Sequence, residues 1–388
     1  VRAIDDDDNT DPTPAYLKVP LKNSAPSVSI SEARSVKDTA FCVSTFYWSA
    51  SDPDGNQTVK QVFIRFNEGN WTEISVRENL ISILVDTSVS SGSAMAKLYY
   101  GRNDQPENFD IDGLKVGEQN VLYVKSVDLA GAESAVDTSA SFYLKNKKPG
   151  ADVLWVSAHS KSIAAEYRSL LNSQSVSYDF LDYGSDFGKG QPVYWDPTFK
   201  LILGLYPKFF LDAPSSTFPN VVTGQDAVIL DYMATIIQDY QSNGGKTFVT
   251  TRLDNSLEAQ EIAVFADAFG FEDLDRTNSQ NSPTFRVRNT DTTFPGPNFG
   301  TFPSLSPQNI QIVSPIIKAA DSEPFYYSGY DPRPQLKWQG DSLVATVRRN
   351  QANEFIQVFF AVELHYFHKS GKPEPVQQLI GRILKDEF

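Results

Sequence analysis

Residues 226–251 read DAVILDYMATIIQDYQSNGGKTFVTT: a helix, a stop and a strand in succession. Ile229, Tyr232, Met233, Ile236, Ile237 and Tyr240 recur three and four apart, which makes one face of a helix over 226–243 apolar. Gly244 and Gly245 end it, because glycine enters the left-handed C-cap conformation without a Cβ clash. The apolar run 246–251 then reads as a strand. The same alternation continues outward. Strands are expected at 152–156, 176–181, 201–205 and 355–362. Helices are expected at 162–174, where Ile163, Tyr167, Leu170 and Leu171 share a face, at 257–269 before Gly270, and at 376–384. Strands alternating with helices predict a mostly parallel sheet covered on both faces.

Upstream of the charged Pro/Gly break at 144–150 the period changes from helical to two. Seven short alternating runs, at 27–31, 41–48, 59–66, 80–85, 95–100, 121–127 and 141–144, are separated by polar or Gly-rich turns. They predict an antiparallel β-sandwich over 25–146, with Trp48 in its core. The lone Cys42 excludes a disulfide framework and reads as a small buried hydrophobe. Asp52, Asp54 and Asn56 are explained by turn hydrogen bonds rather than by calcium. Residues 1–24, with Asp5 to Asp8 and three prolines, read as an acidic flexible tether. The 388 residues carry a net charge of −14, which argues against nucleic acid and against anionic membrane surfaces. The chain opens on Val1 rather than Met, so a mature or trimmed chain is expected, its targeting peptide already gone.

Several stretches carry family resemblances. Phe46-Tyr47-Trp48-Ser49-Ala50-Ser51-Asp52-Pro53-Asp54-Gly55, with the runs 114–118 and 123–131 and Ser134, resembles immunoglobulin-like and fibronectin type III-like bacterial modules. Asp239 to Val249, with Val358 to His365 and the helix after it, resembles class I glutamine amidotransferase-like, flavodoxin-like domains. The acidic tether resembles that of Bacteroidetes-type surface lipoproteins. These resemblances imply a multidomain chain: an immunoglobulin-like sandwich at 25–146, then a three-layer α/β flavodoxin-like domain at 150–388 with an insertion at about 274–345. The amidotransferase family places a nucleophilic cysteine on an elbow after the Gly-Gly strand, and a His-x-Glu after the last strand. Here 250–255 holds no cysteine, and Phe367 stands at the Glu position after His365, so glutamine hydrolysis is not expected.

The three histidines, His159, His365 and His368, all lie in the second domain. His159 follows the first parallel strand and His365 the last apolar one, which puts both at the carboxyl edge where open α/β sheets bind ligands. With Glu363 or Asp182 they form the candidate acid/base set. No two histidines sit one helical turn apart on a predicted helix, and no GxGxxG, Walker or His-Glu-x-x-His pattern occurs, so neither metal nor cofactor is expected. The aromatic stretch 324–338 supplies a candidate ligand platform in Tyr326, Tyr327, Tyr330, Arg333 and Trp338, suited to sugar stacking. Two functional readings result. The leading one is an extracytoplasmic envelope protein that binds or assembles without catalysis, with a glycan or another envelope protein as partner. Its membrane link would be an N-terminal lipid anchor that this chain does not contain. The other is a hydrolase acting on a glycan or ester at the carboxyl edge of the α/β sheet.

Overall fold

The computed structural model describes residues 3–10, 12–13, 22–184, 192–214, 217–219, 224–276, 284–308, 311–330, 338, 340–368 and 374–388. In the first lobe two sheets face each other. The larger runs Asp110–Val116, Gly92–Tyr100, Leu80–Val85, Val43–Ser51, Thr39–Phe41, Phe142–Lys145 and Gln119–Asn120, with Ser27–Ile30 also paired to Val43–Ser51. The smaller runs Asp137–Thr138, Leu122–Asp128, Val59–Phe66 and Thr72–Ile74. Alternation along each strand sends Phe46, Trp48, Val62, Ile64, Phe66, Ile83, Leu98 and Phe142 into the space between them. Phe46 is the hub, with ring centroids 5.6 Å from Phe66 and 5.5 Å from Phe142. In the loop after Val43–Ser51, Asp52 Oδ1 accepts the Asp54 N–H at 2.8 Å and Asp54 Oδ2 accepts the Ser24 N–H at 2.6 Å, as turn chemistry requires.

The second lobe is built on one eight-stranded sheet: β1 (Val153–Ser157), β2 (Tyr178–Asp182), β3 (Lys208–Ala213), β4 (Lys246–Thr251), β5 (Thr293–Pro295), β6 (Glu323–Ser328), β7 (Leu343–Arg349) and β8 (Phe355–Phe360). Its order is β2-β1-β3-β4-β8-β7-β6-β5. The first five in that order are mutually parallel, and β7, β6 and β5 add antiparallel. Among the described residues five α-helices accompany the sheet: α1 (Lys161–Ser173), α2 (Lys200–Leu203), α3 (Ile229–Ser242), α4 (Ala259–Ala263) and α5 (Glu374–Arg382).

Both faces of the sheet are apolar, so its strands read as continuous hydrophobic runs. Leu154, Val156, Phe209, Leu211, Val249 and Phe359 pack with α3, while Val153, Trp155, Phe210, Phe248, Val358 and Phe360 pack with α1 and α5. Successive residues thus serve opposite cores. After α3, Gly244 adopts φ +87° and Gly245 lies against the Tyr240 ring, where a Cβ would come within 2.4 Å. No other residue type fits that pair of positions without displacing the ring.

Two expectations are corrected here. Residues 201–205 are not a strand: α2 ends at Leu203, and the strand is β3 at Lys208–Ala213. The run 201–211 is apolar almost throughout, and a short apolar run satisfies either period. The expected helix at 257–269 is the short α4 followed by a separate turn at Asp267–Phe269, which Gly270 closes at φ +81°. The 274–345 segment supplies β5, β6 and the start of β7, which form the antiparallel half of the sheet itself.

The two lobes share a core. Phe41, Cys42 and Val43 belong to the cluster that contains Leu154, Tyr206 and Phe209. Thr45 Oγ1 lies 2.6 Å from Thr198 Oγ1 and 2.8 Å from Ser82 Oγ in a buried three-hydroxyl chain. Cys42 is fully buried, and burial pushes its thiol far above the ordinary range. Cys42 is therefore expected to resist a thiol-specific disulfide reagent in native buffer at pH 8 and to react stoichiometrically in denaturant. Rapid native labelling would contradict this packing.

Candidate functional site

A polar row crosses the carboxyl edge of the parallel strands. Asp182 of β2, Ser157 of β1, Asp212 of β3 and Thr250 of β4 are consecutive register partners, at positions where the strand interiors are apolar. Ser157, Asp212 and Thr250 are completely buried. Trp155 Nε1 donates to Asp212 Oδ1, and Ser157 Oγ donates to Asp212 Oδ2 at 2.6 Å. Burial holds the Asp212 carboxyl well above the usual carboxylate range, against the lowering effect of those donors.

Above this row, the loops after β1 and β8 meet. His159 lies two residues past the end of β1. Gly184, beyond β2, passes so close to the His159 carbonyl that a Cβ there would clash at 1.9 Å. Thr250 clamps the second loop: its hydroxyl donates to the Val362 carbonyl at 2.7 Å and accepts the Leu364 N–H at 3.0 Å. Between these anchors sits Glu363. Two residues on, His365 donates its backbone N–H to the Tyr167 hydroxyl of α1 at 3.1 Å.

The result is a tight, buried cluster. One ligand atom from each of His159, Glu363 and His365 lies within 4.8 Å of the other two. Their relative exposures are 4%, 4% and 9%, so the side chains have left water almost completely. His159 Nε2 is 3.5 Å from Glu363 Oε1, and the two imidazole centroids are 5.1 Å apart at 73°. Yet His159 Nε2 and His365 Nδ1 have no hydrogen-bond partner. Buried polar atoms are nearly always satisfied, so such a pair is unusual.

The electrostatics are those of a desolvated site. Burial lowers His159 to about 3, helped by His365, and lowers His365 to about 4. Both imidazoles are neutral at pH 7. Burial raises Glu363 to about 7 even though Arg252 pulls the other way. Two neutral imidazoles thus face a carboxyl group that is half ionised near neutrality.

The sequence candidates separate cleanly. His159, His365 and Glu363 come together. Asp182 stays on β2 and accepts the Gly184 N–H at 3.0 Å, while His368 sits beside Glu166 of α1 at 3.6 Å. The aromatic platform is a correction. Tyr326 is fully buried in β6, its hydroxyl donating to the Pro303 carbonyl at 2.8 Å. Trp338 is buried against Phe285 and donates to the Asp341 carbonyl at 3.3 Å. Tyr327 stacks on Phe294 and Tyr330 packs on Phe285. Arg333 lies outside the described residues. Tyr326 and Trp338 are core residues with their faces covered by protein, whereas Tyr327 and Tyr330 are half-buried and packed against neighbouring rings. Asp212, Thr250 and Tyr167 went unrecognised as site residues; the signal for Asp212 is a carboxylate ending the apolar run Phe209-Phe210-Leu211.

No family model matches the chain and no curated protein does. Among solved structures, Agd3, described as a novel carbohydrate deacetylase, is similar over 54% of this chain with 15% sequence identity and a TM-score of 0.33. The chain spans only 29% of that structure's length. The family resemblances drawn above are corrected here: no family model matches, the solved structure just named is described as a carbohydrate deacetylase, and neither an immunoglobulin-like module joined to an amidotransferase-like domain nor a Bacteroidetes-type surface lipoprotein is supported. The physical reason is that the matching stretches are short. Asp-Gly and Gly-Gly turns beside apolar strands solve a backbone problem common to many folds.

Proposed function

We propose that the chain is a hydrolase whose reactive centre is the His159–Glu363–His365 cluster at the carboxyl edge of the parallel sheet, acting on an ester, acyl groups on glycans included. One observation carries this reading: three groups able to orient and activate water converge within 4.8 Å in a desolvated site, with two imidazole nitrogens unpartnered. Water is the attacking group in this reading, because the aliphatic hydroxyls of the polar row are committed. Ser157 donates to Asp212 and Thr250 to the Val362 carbonyl, so neither is lined up behind an imidazole as an activated nucleophile. The non-catalytic alternative rests on the absent elbow cysteine and on the order of tether, sandwich and α/β domain, and neither accounts for the two unpartnered buried imidazole nitrogens.

The purified protein is expected to release acetate from an aryl acetate, or from O-acetylated sugar oligomers, and His365→Ala and His159→Ala are expected to lose that release. Absence of turnover across the panel, or turnover that survives both substitutions, would overturn the proposal.

A further inference from the structure

We infer that His159, Glu363 and His365 together bind one divalent transition-metal ion of the zinc class, leaving a coordination position that these three residues do not fill. The consequence for catalysis rests on the hydrolase reading just given; the evidence for the ion does not.

The donor set comes first. Two imidazoles and one carboxylate are borderline nitrogen and oxygen ligands, which suit zinc, cobalt or iron. Calcium and magnesium need six or more oxygens and would find one carboxylate here. Spacing comes second. Bonds of about 2.0–2.2 Å in a tetrahedral arrangement put ligand atoms roughly 3.3–3.6 Å apart. The His159 Nε2 to Glu363 Oε1 separation is 3.5 Å, too long for a hydrogen bond of normal strength and the length of a shared-ion edge. Third, the two ring nitrogens without partners, His159 Nε2 and His365 Nδ1, are lone-pair donors on neutral imidazoles buried to more than nine-tenths. A cation would satisfy both and lie against the Glu363 carboxylate.

The surroundings hold the ligands still. Thr250 fixes the backbone on both sides of Glu363, the Tyr167 hydroxyl holds the His365 N–H, and Gly184 closes over the His159 carbonyl. Such support positions ligands without touching the ion. With three protein ligands the fourth position is free. A bound water there becomes acidic enough to yield hydroxide near neutral pH, and its proton leaves to solvent or buffer. The hydroxide then forms a new C–O bond to an ester carbonyl, and the alcohol leaves as the old C–O bond breaks.

The test uses the full chain, stripped with a chelator and titrated with cobalt(II) as the visible probe and zinc(II) as competitor. The expected result is one cobalt per chain, with the intense visible absorption of a four- or five-coordinate site that zinc abolishes. Glu363→Gln, close to isosteric and the variant least prone to unfold, should weaken binding by at least about 100-fold, as should His159→Ala. Near-ultraviolet circular dichroism checks that each variant is folded. Absence of stoichiometric cobalt binding, or unchanged binding in folded Glu363→Gln, overturns the assignment. Ester cleavage that persists in stripped, metal-free protein overturns the ion's part in catalysis while leaving both the bound ion and the hydrolase standing. Cobalt binding that depends on the three residues, in a protein that cleaves no ester or acylated sugar, upholds the ion and removes the hydrolase.

Discussion

Glu363→Gln lowers the turnover of a cleaved ester by about two to four orders of magnitude, the range expected when a group that activates water is lost. The measurement is kcat at saturating substrate, with added zinc held in excess so that weaker ion binding is not the sole cause. A fall of less than tenfold would show that Glu363 is a bystander. The variant carries a second signature in stripped protein. An unfolded glutamate ionises near 4.5, whereas burial raises the folded one to about 7. Between those values the unfolded chain gives up its proton and the folded chain keeps it, so wild type loses stability as pH rises through that window. The substituted amide has no proton to lose. The variant should therefore gain on wild type in urea unfolding at pH 8 compared with pH 4.5, a trade of stability for chemistry typical of reactive sites.

Trp155→Ala is expected to destabilise the protein by about 3–5 kcal/mol, read as a shift of the urea midpoint. Trp155 is completely buried at the centre of β1. Its ring lies 4.1 Å from that of Phe180 and 5.3 Å from that of Tyr178. Truncation leaves a cavity between the sheet and α1, and it also strips Asp212 of the Trp155 Nε1 donor inside the apolar interior. Trp155→Phe separates the two causes, because it restores most of the volume but not the hydrogen bond. A loss below about 1 kcal/mol in Trp155→Ala would mean that the site collapses around the gap more readily than close packing allows.

Much of the architecture was legible because both lobes follow their periods. All seven alternating runs before residue 145 lie in or overlap strands, and the 226–251 pattern locates α3 and β4, with the first three residues pairing as a short strand instead. Legibility failed where two periods fit one run, as at 201–211, and where a sheet changed from parallel to antiparallel. Nothing in the spacing of Tyr326, Tyr327 and Trp338 distinguishes rings on an open loop from rings between two packed layers. The site followed the same rule. His159 and His365 could be placed at one edge because each follows an apolar strand. Their pairing, the clamp by Thr250 and the burial of Asp212 depend on register between strands distant in sequence, which no local pattern encodes.

The cluster draws His159 from the first strand of the second lobe and Glu363 and His365 from just beyond the last, which slots between β4 and β7 in the middle of the sheet. A chain still emerging from the ribosome can pair β1 with β2 and β3 long before that final strand exists, since elements made early fold early and distant pairings come late. Until then His159 stands alone and the half-built lobe is inert. Under the proposed hydrolase reading, reactivity would arrive only with the closing of the sheet, because a chain that ends before the last strand lacks both Glu363 and His365.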